Sequence, residues 1–431
     1  MATTPAIAFV TLGCPKNEVD SDRMAAAVLS SAYRLVQSPD DADVIVLNTC
    51  AFIQPATEEA IDEFFELHND WRPGRPGRRI VVAGCMPSRY GTALTDAMPE
   101  ADAFVAVDAE DRLLDTLEAL LGTPSAPSAG PARLVPGATA YLKVSEGCDR
   151  RCAYCTIPAI RGPFVSTPRD TLVAEAAWLI EHGAREIVLV GQDIASWGVD
   201  LGGGEDLAGL VRALDALPGD YRLRLMYVQP DGVTDALLES IAGATHVCQY
   251  LDIPLQHASA DILDRMGRTG GPEAHLALLR RVRAALPDIT LRTTVMAGFP
   301  GETERDAHIL ESFLEEADLD YVGVFVYSPE DGTAAAEMTD RVAPTIAQER
   351  AQRLRDIADA SGFARAASRV GSVQRVLVEG VDEDGDLVGR TCGQAPDVDG
   401  ITFVDTAAAA GTFADLLITE AVGYDLVGEA V

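Results

Sequence analysis

No stretch of about 18 uninterrupted apolar residues occurs anywhere in the 431-residue chain, so the sequence offers no candidate for a membrane-spanning helix. Residues 1–10 carry neither a basic leader nor an apolar run closed by a small-residue cleavage site; the signature of secretion is missing and the expected location is the cytoplasm. Positive charge is scarce: 34 Lys and Arg stand against 67 Asp and Glu, a formal net charge of −33. A surface that acidic repels phosphate backbones and favours basic partners, although solubility or salt adaptation would also account for it. Lysine is scarcer still, because Lys16 and Lys143 are the only two. Internal repeats are absent, and the one low-complexity tract is a small-residue, proline-rich stretch at 122–131.

What remains is a globular composition, 48% hydrophobic, long enough for two or three domains. Short apolar runs at 7–12, 44–47 and 80–83 read as buried parallel strands, with helical stretches at 21–32 and 58–67 between them. Past the linker, candidate strands recur at 141–144, 186–190, 223–227, 249–253, 290–295 and 322–327 with helical patterns between. Six strand-plus-helix units are too few for a closed eight-stranded barrel, which predicts a partial (βα)6 TIM-like barrel with its function at the C-terminal strand ends. From about residue 373 the pattern turns to short β-like runs, which fits a small antiparallel β-barrel. The expected divisions are 1–121 (parallel α/β), 122–138 (linker), 139–368 (partial barrel) and 369–431 (small β-barrel).

In a reducing compartment eight cysteines point to metal ligation or catalysis before disulfides. Cys148, Cys152 and Cys155 form C-x3-C-x2-C directly after a candidate strand. Three thiolates at that spacing hold three irons of a [4Fe–4S] cube and leave the fourth open to a small ligand. A zinc site short of one ligand is the competing reading. Cys14, Cys50 and Cys85 are far apart in sequence, yet each sits just past the end of a candidate parallel strand, where such a sheet gathers its ligands. They read as a second cluster site, against the alternative of three ordinary buried cysteines. Cys248 and Cys392 have no cysteine at ligand spacing and read as packing residues.

Gly13-Cys14-Pro15-Lys16-Asn17, Asn48-Thr49-Cys50, Gly84-Cys85, Ser145-Glu146-Gly147-Cys148, Pro158 with Arg161-Gly162, Pro254-Leu255-Gln256-His257 and Gly298-Phe299-Pro300-Gly301-Glu302-Thr303 follow one another in order. Over nearly its whole length the chain thereby resembles the radical S-adenosylmethionine methylthiotransferases, and its C-terminal module is similar to their TRAM domain. Gln192-Asp193, Trp197-Gly198-Val199-Asp200, Tyr327-Ser328-Pro329-Glu330 and Ala395-Pro396-Asp397-Val398-Asp399-Gly400 further resemble the branch that modifies an aspartate of ribosomal protein uS12. Ala51 and Trp197 depart from that branch, neither at a ligand.

The resemblance implies two [4Fe–4S] clusters, S-adenosyl-L-methionine, and an electron donor such as flavodoxin or ferredoxin. It implies that the Cys148 set binds S-adenosylmethionine, with Tyr154 beside the adenine, Gln192 near the methionine amino group, and Val295 to Gly298 as an apolar wall. His257 reads as a core or supporting imidazole rather than a base. Two other readings stand beside this one: methylthiolation of a transfer-RNA adenosine, and a non-catalytic iron–sulfur scaffold. The C-terminal segment 371–431 carries 12 acidic residues and only Arg375 and Arg390 as basic ones, which argues against RNA and for a basic protein such as uS12.

Overall fold

The computed structural model describes residues 4–126 and 132–431, in two compact units: 1–135 with 146–150 and 155–164, and 136–145 with 151–154 and 165–431. Residues 127–131 of the expected linker lie outside the described residues. Its N-terminal flank is tied down within the first unit, where Ala32 N–H donates to Ser125 O (2.7 Å) and Tyr33 Oη to Thr123 O (2.8 Å).

The first unit is built on a five-stranded parallel sheet: β1 (Ala6–Thr11), β2 (Arg34–Leu35), β3 (Val44–Thr49), β4 (Arg79–Gly84) and β5 (Ala103–Ala106), in the order β2-β1-β3-β4-β5. The central strand is buried at all six positions, as a parallel strand covered on both faces must be. Side chains alternate between the two faces. Ile7, Val44, Val46 and Val81 pack against Met24 and Val28 of α1 (Pro15–Leu29), while Ala8, Ile45, Leu47 and Val82 pack against Ala60 and Phe64 of α2 (Gln54–Glu66). The strand order reverses direction between β1 and β3, and in open α/β sheets ligands bind at such a switch point, outside the carboxyl ends of the strands.

The second unit carries six parallel strands in sequence order: β6 (Thr139–Lys143), β7 (Glu186–Val190), β8 (Arg222–Leu225), β9 (Val247–Asp252), β10 (Thr290–Ala297) and β11 (Tyr321–Val326). Among the described residues no strand pairs with the outer edge of β6 or β11, so the sheet is a partial barrel. A closed five-stranded barrel follows: β12 (Val373–Val381), β13 (Leu387–Arg390), β14 (Thr402–Asp405), β15 (Thr412–Val422) and β16 (Asp425–Ala430), ordered β12-β13-β14-β16-β15. Its ladders are antiparallel except β14 with β16, which is parallel.

The two sheets of this unit meet at the N-terminal strand ends. Leu223 and Leu225 of β8 enter the helix-facing core, so the alternate residues Arg222 and Arg224 point the other way. There they reach Glu186 (3.0 and 2.7 Å), which also accepts from Arg390 of β13 (2.6 Å). Arg222 Nη1 and Arg224 Nη1 bond the carbonyls of Arg390 and Cys392. Among the described residues no helix is long and apolar enough to cross a membrane.

Candidate functional site

Each cysteine of the N-terminal set sits just after a strand of the first sheet. Cys14 caps α1 where β1 ends; Cys50 directly follows β3; Cys85 opens the short helix α3 (Cys85–Tyr90) after β4. The structure brings the three together at the switch point. The Cys14 and Cys85 thiols both donate to Asn17 Oδ1, at 3.8 and 3.7 Å. A Cβ added to Gly13 would stand 2.5 Å from Cys50 Cβ and 3.1 Å from its Sγ. Gly84, with φ +88°, is equally constrained, since a Cβ there would be 2.1 Å from Asn48 Oδ1. Both glycines permit the close approach that gathers the thiols.

The electrostatics of the three thiols differ. Burial pushes Cys14 up, but the charges of Lys16 and Arg161 and the N–H groups of Asn17 and Lys16 outweigh it and leave this thiol below its ordinary value. Burial raises Cys50, and it pushes Cys85 up to about 12 despite the nearby Arg161. Arg161 ends the helix α4 (Ile157–Arg161), and its guanidinium bonds Asn17 Oδ1 (2.7 Å), Asp20 (2.9 Å), Glu146 (3.1 Å) and the Cys85 sulfur (3.5 Å).

Among the described residues no three His, Cys, Asp or Glu side chains stand at the separation of a single chelated ion. Soft thiols as the donors, glycines that let their loops approach closely and two adjoining cations in an acidic protein fit an anionic cluster.

Cys148, Cys152 and Cys155 fall within eight residues, and Cys148 N–H donates to Gly162 O (3.2 Å) within the first unit. Gly147 (φ +70°) leaves no room for a Cβ, which would lie 2.1 Å from Pro163 O. In the second unit Arg268 Nη1 stands 3.6 Å from Cys152 Sγ. Tyr154 packs on Ile262, Met266 and Phe299. Gln192, half-buried, lies two residues past β7. Val295 is wholly buried in the main core, bridged to Gln256. The close approach at Gly298 is to helix α5 (Pro344–Ala367): a Cβ would meet Ala347 Cβ at 2.4 Å, and Gly298 N–H donates to Glu302 (2.8 Å). His257 is fully buried, its Nδ1 accepting from Ser259 N–H (2.9 Å).

Three stretches match known family models: residues 6–106 the Uncharacterized protein family UPF0004, residues 142–313 the Radical SAM superfamily, and residues 370–431 the TRAM domain. The ribosomal protein uS12 methylthiotransferase RimO of Geobacter sulfurreducens is 40% identical over 440 residues, covering 99% of this chain and 98% of that protein. This chain belongs to the RimO methylthiotransferase family. The family member of the same name from Kineococcus radiotolerans is 39% identical over 474 residues, covering 99% and 97%. The fold is shared with the radical S-adenosylmethionine methyltransferase TsrM from Kitasatospora setae, solved with cobalamin and a [4Fe-4S] cluster bound: TM-score 0.55, 14% identity, 86% of this chain and 81% of that one.

Several residues of this RimO-family chain have surroundings that the sequence did not announce. Arg161, Asn17 and Gln256 stand in family motifs, but nothing in the linear pattern assigns Arg161 to the Cys85 sulfur. Tyr227 and Gln256 hold left-handed backbone (φ 63° and 71°) just past β8 and β9, strain of about 1–3 kcal/mol each at the strand ends where such folds place their chemistry. Cys248 and Cys392, read as packing residues, are free thiols close enough to interact; burial raises the Cys248 thiol, and a hydrogen bond with Cys248 lowers that of Cys392.

Proposed function

We propose that this chain is a cytoplasmic radical S-adenosylmethionine methylthiotransferase that adds a methylthio group to the β-carbon of an aspartate in ribosomal protein uS12. In this reading one [4Fe–4S] cluster rests on Cys14, Cys50 and Cys85 and a second on Cys148, Cys152 and Cys155. The observation that carries it is the convergence of three sequence-distant thiols at the switch point of a chain that matches its relatives end to end. When bound, the clusters and S-adenosylmethionine supply hydrogen abstraction from an unactivated carbon and the methylthio group itself, chemistry beyond any acid–base side chain.

The chain's own residues bind and orient. Tyr154 and Gln192 would contact S-adenosylmethionine, with Val295 and Gly298 shaping the wall behind it. The fully buried His257 braces the Pro254-to-Ser259 turn rather than meeting substrate. A flavodoxin or ferredoxin would supply electrons.

Protein rather than RNA is the substrate because the C-terminal barrel has no basic face. Glu383, Asp384, Asp386, Asp405, Asp415 and Glu420 are exposed. Of its two arginines, Arg390 is buried on Glu186 and Glu379, and Arg375 pairs with Asp220 over the Phe413 ring. Such a surface repels phosphates and attracts a basic ribosomal protein.

The test has two parts. Anaerobically reconstituted protein should bind about eight irons, and replacing Cys14, Cys50 and Cys85 by alanine should halve that while sparing 5′-deoxyadenosine formation. The reduced enzyme should then be offered uS12 and unmodified transfer RNA side by side and both analysed by mass spectrometry. Methylthio mass on the RNA alone would overturn the reading.

A further inference from the structure

The Arg161 guanidinium stands beside the N-terminal thiols with its side chain only 1% exposed, so solvent screens it little. Nη2 bonds Asn17 Oδ1 at 2.7 Å and stands 3.5 Å from Cys85 Sγ, while Nη1 bonds Asp20 at 2.9 Å and Glu146 at 3.1 Å. Asn17 in turn staples two of the cysteine-bearing loops, since its Nδ2 donates to Leu12 O (3.0 Å) and Thr49 O (2.9 Å). Those amide bonds fix the direction of Oδ1, which faces Cys14, Cys85 and Arg161 together. A planar fork of fixed N–H directions serves this four-partner arrangement, and a lysine could not.

We propose that Arg161 is a positioning residue that locks Asn17 against the N-terminal thiols and raises the reduction potential of the cluster they hold. This rests on the reading that Cys14, Cys50 and Cys85 carry such a cluster. One-electron reduction adds a negative charge to the site, so a cation fixed beside a ligating sulfur favours the reduced form, the more strongly because burial keeps water from screening it. Asp20, 2% exposed, opposes Arg161 and partly cancels it. The two residues therefore push the potential in opposite directions while holding the same stretch of structure together.

That opposition is what the experiment reads. In a Cys148→Ala, Cys152→Ala, Cys155→Ala background the N-terminal set is observed alone, by iron analysis and by a dye-mediated dithionite titration followed by electron paramagnetic resonance. The background protein should hold about four irons. Arg161→Gln should lower the reduced-to-oxidised ratio at a fixed poise at least tenfold, a downward shift of about 59 mV for one electron. Asp20→Asn should raise the same ratio at least threefold, and Arg161→Lys, which keeps the charge and loses the fork, should fall between wild type and Arg161→Gln. Should Arg161→Gln fail to retain iron, the Asp20→Asn and Arg161→Lys shifts decide. Retained iron with unmoved potentials, or with Arg161 and Asp20 variants shifted the same way, overturns the role of Arg161 and leaves the cluster assignment standing. A background protein without iron overturns both.

Discussion

Replacing Glu186 by glutamine is expected to destabilise the second unit by about 3–5 kcal/mol, because it breaks a buried ion cluster from the side of its single central anion. Glu186 is wholly buried and accepts from Arg222, Arg224 and Arg390 at 3.0, 2.7 and 2.6 Å, and those three side chains are themselves at most 4% exposed. Each attraction is about 4 kcal/mol at an effective dielectric of 20, and the cost of burying the charges has already been met in the folded protein. Glutamine keeps the shape and one acceptor oxygen but turns two N–H donors toward guanidinium groups. Among the described residues Glu379, on Arg390, is the charged partner that remains. In a unit of this size the loss corresponds to roughly 2 °C in melting temperature per kcal/mol, so about 6–10 °C in all. Urea unfolding is the direct assay, and in a Trp71→Phe background Trp178 and Trp197 report the second unit alone. The pH dependence has a fixed sign. Burial alone would raise the Glu186 carboxyl, but Arg222, Arg224 and Arg390 outweigh it and hold it far below the usual carboxylate range. A depressed carboxylate contributes fully above its unfolded value of about 4.3 and loses that contribution as pH falls toward the folded one. The gap between wild type and Glu186→Gln should thus be complete at neutral pH and narrow below about pH 4.3. A gap under about 1 kcal/mol at pH 7, or one that persists unchanged in acid, would refute the reasoning.

Gly362→Ala, inside α5, would ordinarily stabilise a helix by about 1 kcal/mol. Here the new Cβ would lie 2.3 Å from Tyr424 Cε1 and 2.8 Å from Asp320 O, so a lower urea midpoint is expected. Gly84→Ala should cost about 1–3 kcal/mol through its positive φ and also reduce the iron held by the N-terminal cysteines, read by denaturation and by iron analysis. Lys16→Gln should lower methylthio transfer well below an exposed Arg280→Gln control, because Lys16 is one of two cations that hold the Cys14 thiol down; equal rates would remove that role.

The buried strands were legible in the sequence because both faces of a parallel strand are covered and the apolar runs are continuous, as at β3 and β7. The placement of cysteines just beyond those runs disclosed their common edge. Shorter or more polar elements were hidden. Helix α1 starts at Pro15, six residues before the helical stretch legible at Ser21, because Lys16, Asn17 and Glu18 interrupt the apolar rhythm; proline at the first helical position was the available sign. Strands β2 and β5 have two and four residues, too few to show a period, and β16 is broken by Asp425, Gly428 and Glu429. Arg161 escaped for another reason: it lies 144 residues from Asn17, and no local pattern encodes a contact at that range. At Gly298 the close neighbour is Ala347, from a helix that begins more than 40 residues later, and no local pattern encodes that contact either.

Strand β16 sits between β14 and β15, parallel to one and antiparallel to the other. Trimming a strand at the border of a sheet removes one ladder. Cutting away Asp425–Ala430 would instead unzip a closed ring and bare two backbone edges at once, each with unpaired N–H and C=O groups ready to capture a second chain. The six-residue segment is thus a guard against self-association as well as a stave of the barrel, and shortened chains should be found as aggregates rather than as monomers with a loosened end.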